Sequence, residues 1–219
     1  MIKGAIFDLD GTLLDSMSIW DSVGVDYLLS KGYTPKEGLK DNFKNMSMIQ
    51  AGEYLKSEYS IPLSAQEIVD GVNAMTEDFY INRVQLKEGA KELLEYLNAR
   101  GVKMCVATAT DGYLVEAALE RCGIRGYFSK ILTCTDVGHG KDEPLIFRKA
   151  MELLGTDRSN TVVLEDALYA IKTAKKEGIP VVAIFDAYEQ NQEQVKALAD
   201  LYLQRISVSD ELVEFVGNL

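Results

Sequence analysis

Asp8 and Asp10 close a short apolar run at residues 3–9 and precede Gly11-Thr12-Leu13. Two carboxylates this close repel each other unless a cation or a shared proton intervenes. A hard divalent cation such as Mg²⁺ suits them, because it prefers oxygen ligands. Extended backbone would aim both side chains alike, whereas a turn at Gly11 would relax that. The bland alternative is a turn whose aspartates cap a helix. Two acids placed directly after a buried strand make that alternative the weaker one.

Three other groups invite the same question. Thr108 lies in Val106-Ala107-Thr108-Ala109-Thr110-Asp111, again after an apolar run. A hydroxyl there can bind a phosphate oxygen, as can the backbone N–H groups of the next turn, Ala109 included. Thr110 or Asp111 serving only as a helix cap is an equal reading of that segment. Lys141 follows Gly138-His139-Gly140, a glycine-rich approach able to carry a fixed cation to a site; a solvated lysine is the default for such a residue in isolation. His139 is the sole histidine and has no partner cluster, so metal ligation by it is disfavoured and a rim position is the lesser option. Glu165 and Asp166 end a further apolar run. Helix capping explains Asp166 but not Glu165 beside it; coordination of a cation shared with Asp8 explains both, with Asp166 the direct ligand and Glu165 a ligand or a water-mediated neighbour.

The elements that must position these groups are legible as apolar runs. Residues 3–9, 102–107, 130–134, 161–164, 180–184 and, more weakly, 201–203 read as buried strands. Helical patterns at 89–100, 113–121, 145–154 and 167–177 are each followed by glycine. Alternating strand and helix implies an α/β protein with a parallel sheet. All four chemical groups then fall at C-terminal strand ends, where open α/β sheets place their sites. Residues 16–86 break the rhythm: helices are expected at 19–29, 46–59 and 64–80, with Ser64 and Glu67 as a capping box. The simplest arrangement inserts a small helical domain after the first strand. The C-terminal stretch, polar from Glu189 to Glu193, is expected to close the core.

The whole chain sets limits. Its 219 residues suit one large domain or a core with an insertion. A formal charge of −11 argues against nucleic acid and requires a site for small anions to supply its own cations. No segment approaches a membrane span and residues 1–6 are too short for a leader, so a cytoplasmic protein without a membrane partner is expected. Cys105, Cys122 and Cys134 lack CxxC spacing and fit a reducing compartment.

Taken together, Asp8-Leu9-Asp10-Gly11-Thr12-Leu13-Leu14-Asp15-Ser16, Thr108, Lys141 and Glu165-Asp166 resemble the four motifs of the haloacid dehalogenase-like superfamily. The likeness is narrower to its β-phosphoglucomutase and phosphoglycolate phosphatase branch, and covers nearly the whole chain. The resemblance implies a Rossmann-like parallel-sheet core (residues 1–15 and 86–219) with an inserted α-helical cap (residues 16–85). It further implies that Asp8 attacks phosphorus, that Asp10 acts as acid and then base, and that Thr108, Ala109 and Lys141 hold the phosphoryl group. Mg²⁺ would be held by Asp8, the backbone carbonyl of Asp10 and Asp166, with Glu165 assisting. The implied activity is hydrolysis of a small phosphomonoester, a sugar phosphate or a phosphoglycolate-like compound.

Departures from the branch bear on the activity. Residues 16–20 lack the histidine that mutase-like members carry early in the first cap helix, and residues 38–49 lack their cap arginine motif. Both departures favour a phosphatase over a sugar-phosphate mutase. Asp142 stands for a frequent proline and Ala170 for a frequent glycine, neither supplying a catalytic atom. A non-catalytic phosphate-binding protein is the alternative from another class, opposed by the complete set of Asp8, Asp10, Thr108, Lys141 and Asp166. A phosphonate hydrolase would need a distinctive cap lysine, and none of Lys36, Lys40, Lys44 and Lys56 stands out. Trp20, Tyr27, Phe43, Lys44, Met48 and Tyr80 are either cap core or pocket, with periodicity favouring core for most of them. Oligomeric state is open, a monomer being the simpler expectation.

Overall fold

The computed structural model describes residues 2–43 and 46–218, with the side chains of Lys40 and Asp41 outside that description. Lys44 therefore lies outside the described residues. Six strands form one parallel sheet: β1 (Gly4–Phe7), β2 (Lys103–Thr108), β3 (Phe128–Thr133), β4 (Thr161–Glu165), β5 (Val181–Ile184) and β6 (Leu201–Leu203). Their order is β3-β2-β1-β4-β5-β6. Every residue of β1, β4 and β5 is buried, which explains their unbroken apolar character: both faces are covered by helices. Phe7, Val106 and Leu94 belong to the core on one face, and Ile6, Cys105, Phe147 and Ile171 to that on the other.

Between β1 and β2 the chain forms α1 (Met17–Ser30), α2 (Leu39–Phe43), α3 (Met48–Tyr59), α4 (Ala65–Asp78) and α5 (Ala90–Asn98). Helices α1 to α4 form the inserted cap, with its own core around Tyr27, Leu28, Leu55, Ile68 and Val72. Both Ser47 with Gln50 and Ser64 with Glu67 make reciprocal capping boxes, which start α3 and α4 sharply. Gly52 lets these two helices approach: a Cβ there would stand 2.6 Å from the Ala65 carbonyl oxygen. The helix expected over residues 64–80 instead ends at Asp78 and passes into a π-helical turn, Phe79–Arg83. Such a turn rotates the chain by an extra residue and delivers Tyr80 inward. Departure and return run side by side, as Asp15 N–H donates to the Gln85 carbonyl (2.9 Å) and Lys87 N–H to the Leu13 carbonyl (2.8 Å).

The remaining helices are α6 (Gly112–Arg121), α7 (Cys134–Val137), α8 (Leu145–Leu154), α9 (Leu168–Lys176), α10 (Gln192–Leu198) and α11 (Asp210–Asn218). Three of them, α7, α10 and α11, go beyond the helical patterns read from sequence. Among the described residues, no helix is long and apolar enough to cross a membrane.

Candidate active site

The sheet order reverses between β1 and β4, because β2 and β3 extend one way from β1 while β4, β5 and β6 extend the other. Loops diverge there and leave a crevice at the carboxyl ends of the strands. Asp8 and Asp10 follow β1, Thr108 ends β2, Glu165 ends β4 and Asp166 follows it. Lys141 arrives from the loop between α7 and α8. These six residues and Ala109 all line one cavity of about 670 Å³ between the sheet and the cap.

Lys141 is 2% exposed and donates to both Asp8 Oδ1 and Glu165 Oε1, the latter at 2.7 Å. Burial works to lower its pKa, yet the charges of Asp8 and Glu165 prevail and hold the ammonium well above the usual lysine range. Glu165 Oε2 accepts from the N–H groups of Asp166 (2.8 Å) and Ala167 (2.9 Å). Both Glu165 oxygens thus have partners, and the carboxylate locks Lys141 to the start of α9. Asp166 Oδ1 accepts from the Thr12 hydroxyl at 2.7 Å. Gly11 has φ +86°, and a Cβ on it would stand 2.5 Å from Asp166 Oδ2. This left-handed turn bends the chain after Asp10, so the aspartates part company: Asp8 faces Lys141, and Asp10 faces the cap.

Oxygen atoms of Asp8, Glu165 and Asp166 lie within 4.8 Å of one another. Three buried acids surround one ammonium, so the charge balance is negative before anything binds. Burial therefore pushes the Asp8 carboxyl up to about 6, although Lys141 opposes this. Asp166 is pushed well above the carboxylate range by burial and by the charges of Glu165 and Asp8. An all-oxygen donor set short of positive charge is what a hard divalent cation satisfies, so the cluster fits such a metal.

Asp10 is held differently. Oδ1 accepts from the Ser16 hydroxyl (2.6 Å) and from Tyr80, and Oδ2 accepts from the Thr110 hydroxyl (2.6 Å). Trp20 Nε1 in turn donates to the Tyr80 hydroxyl. Burial and the Asp8 charge raise the Asp10 pKa against these hydrogen bonds. Its carboxylate stands outside the three-acid cluster, so any metal contact from Asp10 falls to its backbone.

Sequence reasoning missed Ser16, Thr110, Tyr80 and Trp20 as a group around Asp10. Thr110 bonds Asp10, and Asp111 accepts from Asn73 of α4 and from Thr135 (2.9 Å), so neither acts as the side-chain cap of α6. Ala167 rather than Asp166 occupies the cap position of α9. His139 is exposed, pairs with Glu143 at 3.2 Å and is not among the cavity residues. Trp20, Phe43 and Met48 line the cavity, whereas Tyr27 packs in the cap core and Tyr80 is fully buried against Asp10. Cys105, Cys122 and Cys134 are free, with Cys105 buried in the sheet.

A family model described as haloacid dehalogenase-like hydrolase matches residues 5–184. Hexitol phosphatase B of Escherichia coli is 25% identical over 209 residues, covering 94% of this chain and 93% of its own. The probable pseudouridine-5'-phosphatase of Drosophila melanogaster is 29% identical over 212 residues, covering 91% and 90%. Among solved structures, CbbY of Rhodobacter sphaeroides, crystallised with phosphate, superposes with a TM-score of 0.83 at 22% identity, covering 95% of this chain and 96% of its own.

Proposed function

Because the chain belongs to the haloacid dehalogenase-like hydrolase family, and is an enzyme of the phosphoric monoester hydrolase type, we propose that it hydrolyses a small phosphomonoester through Asp8. Sugar phosphates and phosphoglycolate-like compounds are the classes to which the family likeness points. The observation that carries the proposal is the buried cluster of Asp8, Glu165 and Asp166 around Lys141 at the β1/β4 switch point.

Asp8 presents a carboxylate oxygen to phosphorus, and the bond from phosphorus to the leaving oxygen breaks as the aspartyl-phosphate forms. A carboxylate is a competent nucleophile once the negative charges it meets are neutralised. Lys141 supplies fixed positive charge at the attacking atom, and its double anchor to Asp8 and Glu165 holds it there without reorganisation. Thr108 and Ala109 border the cavity where the phosphoryl oxygens would sit, the first offering a hydroxyl and the second a backbone N–H. Asp10 gives a proton to the departing alkoxide, then takes one from the water that attacks the aspartyl-phosphate and releases inorganic phosphate. Its raised pKa favours the protonated form needed first. The hydroxyls of Ser16, Thr110 and Tyr80 can donate or accept, so they can hold either protonation state of Asp10.

The divalent cation proposed for the site is Mg²⁺, which Asp8, Asp166 and the Asp10 backbone carbonyl would hold with help from Glu165, and which would supply charge neutralisation between two anions. The free cysteines accord with the cytoplasmic setting proposed for the enzyme. The test is phosphate release from a broad panel of phosphomonoesters with Mg²⁺, comparing the natural chain with Asp8→Asn. Metal-dependent release lost in the variant supports the proposal. Release that survives the substitution, or none on any compound, overturns it.

A further inference from the structure

The cavity has two chemically unlike halves. Its floor carries every acid and cation assigned above. Its roof, contributed by the cap, is made of Met17, Trp20, Val25, Phe43, Met48 and Val69 together with further aliphatic residues. Most of these six are only half-buried, so they keep surface that opens on the cavity and is not consumed by the cap core. Among the described residues, the one ionisable side chain that the cap brings to the cavity is an acid, Asp21.

Among the described residues, the cations of the cap lie elsewhere. Arg83, its sole arginine, pairs with Asp78 at 2.9 Å beside the chain's return to the core. Lys36 pairs with Glu58, and Lys31 lies over the Tyr27 ring at 5.6 Å. Of the two described lysines that line the cavity, Lys141 is committed to Asp8 and Glu165. Lys172 is exposed at the core rim, 3.4 Å from Gln194 and on the same rim as Glu189. Among the described residues, an anion carried by the leaving group would meet no uncommitted buried counter-charge in this apolar chamber, at a cost that grows with its desolvation. An alcohol with an apolar face would instead exchange water for aliphatic and indole surface. About 670 Å³ also exceeds what a phosphate with a two-carbon tail fills.

Resting on the phosphatase reading above, we propose that the preferred substrate is a phosphomonoester of an uncharged alcohol with a sizeable apolar or aromatic surface. The cap therefore selects against a carboxylated alcohol such as glycolate and against a second phosphate. Met17, Trp20, Val25 and Phe43 set the preference by excluding water from the alcohol.

The experiment measures kcat/KM with Mg²⁺ for ethyl, butyl and hexyl phosphate, phenyl phosphate, phosphoglycolate and a hexose bisphosphate. A fully buried methylene is worth about four-fold, so the four added from ethyl to hexyl set a ceiling of roughly 250-fold, and burial of only part of the chain should still give roughly 30-fold or more. Phosphoglycolate and the bisphosphate should rank below hexyl and phenyl phosphate. Val25→Lys should lower the hexyl value by about 10-fold and raise that for phosphoglycolate, because it places a cation in the roof. Val25→Thr keeps the shape and should flatten the alkyl slope even where the lysine variant fails to fold. Lys172→Ala should leave the ranking unchanged. An alkyl series flat within about two-fold, or the bisphosphate or phosphoglycolate as best substrate, overturns the inference while leaving the phosphatase reading intact. Absence of hydrolysis on every ester overturns the phosphatase reading and the inference with it.

Discussion

Replacing Lys141 by methionine removes one ammonium from among three buried carboxylates while keeping most of the side-chain volume. Lys141 is 2% exposed, and its partners Asp8 and Glu165 are buried with it. Breaking a buried ion pair by deleting one partner costs about 3–5 kcal/mol, chiefly because the other charge is left uncompensated. For a chain of this size that corresponds to a fall in Tm of roughly 6–20 °C. The loss should depend on pH in a definite direction. Asp8 already titrates at about 6 with Lys141 in place, above its ordinary 3.8. A carboxyl whose pKa is raised by folding destabilises the fold once pH rises above the unfolded value, and the penalty is complete above the folded value. Without the ammonium the folded value climbs further, so the variant's deficit should be largest near about pH 8 and shrink toward about pH 5, where protonation removes the uncompensated charge. Metal-free protein followed by thermal and urea unfolding at both pH values provides the assay. Mg²⁺ should restore part of the stability but not turnover, which should stay down by at least about 10³-fold. A deficit below about 1 kcal/mol at the higher pH, or one that does not change with pH, would refute the view that Lys141 compensates this cluster.

Further expectations follow from the same geometry. The natural protein without metal should lose about 3 kcal/mol from Asp8 alone as pH rises from about 4 through 6, so Mg²⁺ should raise Tm more at about pH 8 than at about pH 5; equal increments would show that the cation does not bind these acids. Gly11→Ala meets both a left-handed backbone and the Asp166 carboxylate at 2.5 Å, so it should cost about 1–3 kcal/mol and weaken Mg²⁺ binding measured by calorimetry. Tyr80→Phe removes one donor from Asp10 and the acceptor of Trp20 Nε1; kcat should fall by about 3- to 30-fold with KM little changed. Trp20→Phe should have a smaller effect that largely disappears in the Tyr80→Phe background, a non-additivity readable in a double-mutant cycle.

Most of the cavity floor was legible in sequence because its acids and Thr108 end or follow apolar strands on both sides of which helices pack, whereas Lys141 arrives from the loop after α7. Asp8, Thr108 and Glu165-Asp166 each mark the end of such a run, and residue order alone aligns them at one sheet edge. The donors around Asp10 carry no comparable local signal. Thr110 is 100 residues away from Asp10 and Tyr80 is 70, so only the folded sheet and the π-helical turn bring them together. The short helices α7 and α10, at four and seven residues, are too brief to establish a period. Helix α11 has Leu212, Phe215 and Val216 on one stripe and was readable, although the stretch suggested no more than closure of the core. In the cap, helical periodicity marks Trp20, Phe43 and Met48 as inward-facing. It does not distinguish packing against another helix from lining a cavity, and here these residues do both.

The claim that phosphate passes through Asp8 is tested most directly by trapping the enzyme during turnover. Rapid acid quench of the enzyme with Mg²⁺ and its best phosphomonoester, followed by peptide mass spectrometry, should find a phosphoryl group on the segment carrying Asp8. The group should be absent in Asp8→Asn. Steady turnover with no phosphoryl-enzyme at any quench time and burst-free kinetics, or a phosphoryl group on another residue, would contradict the account.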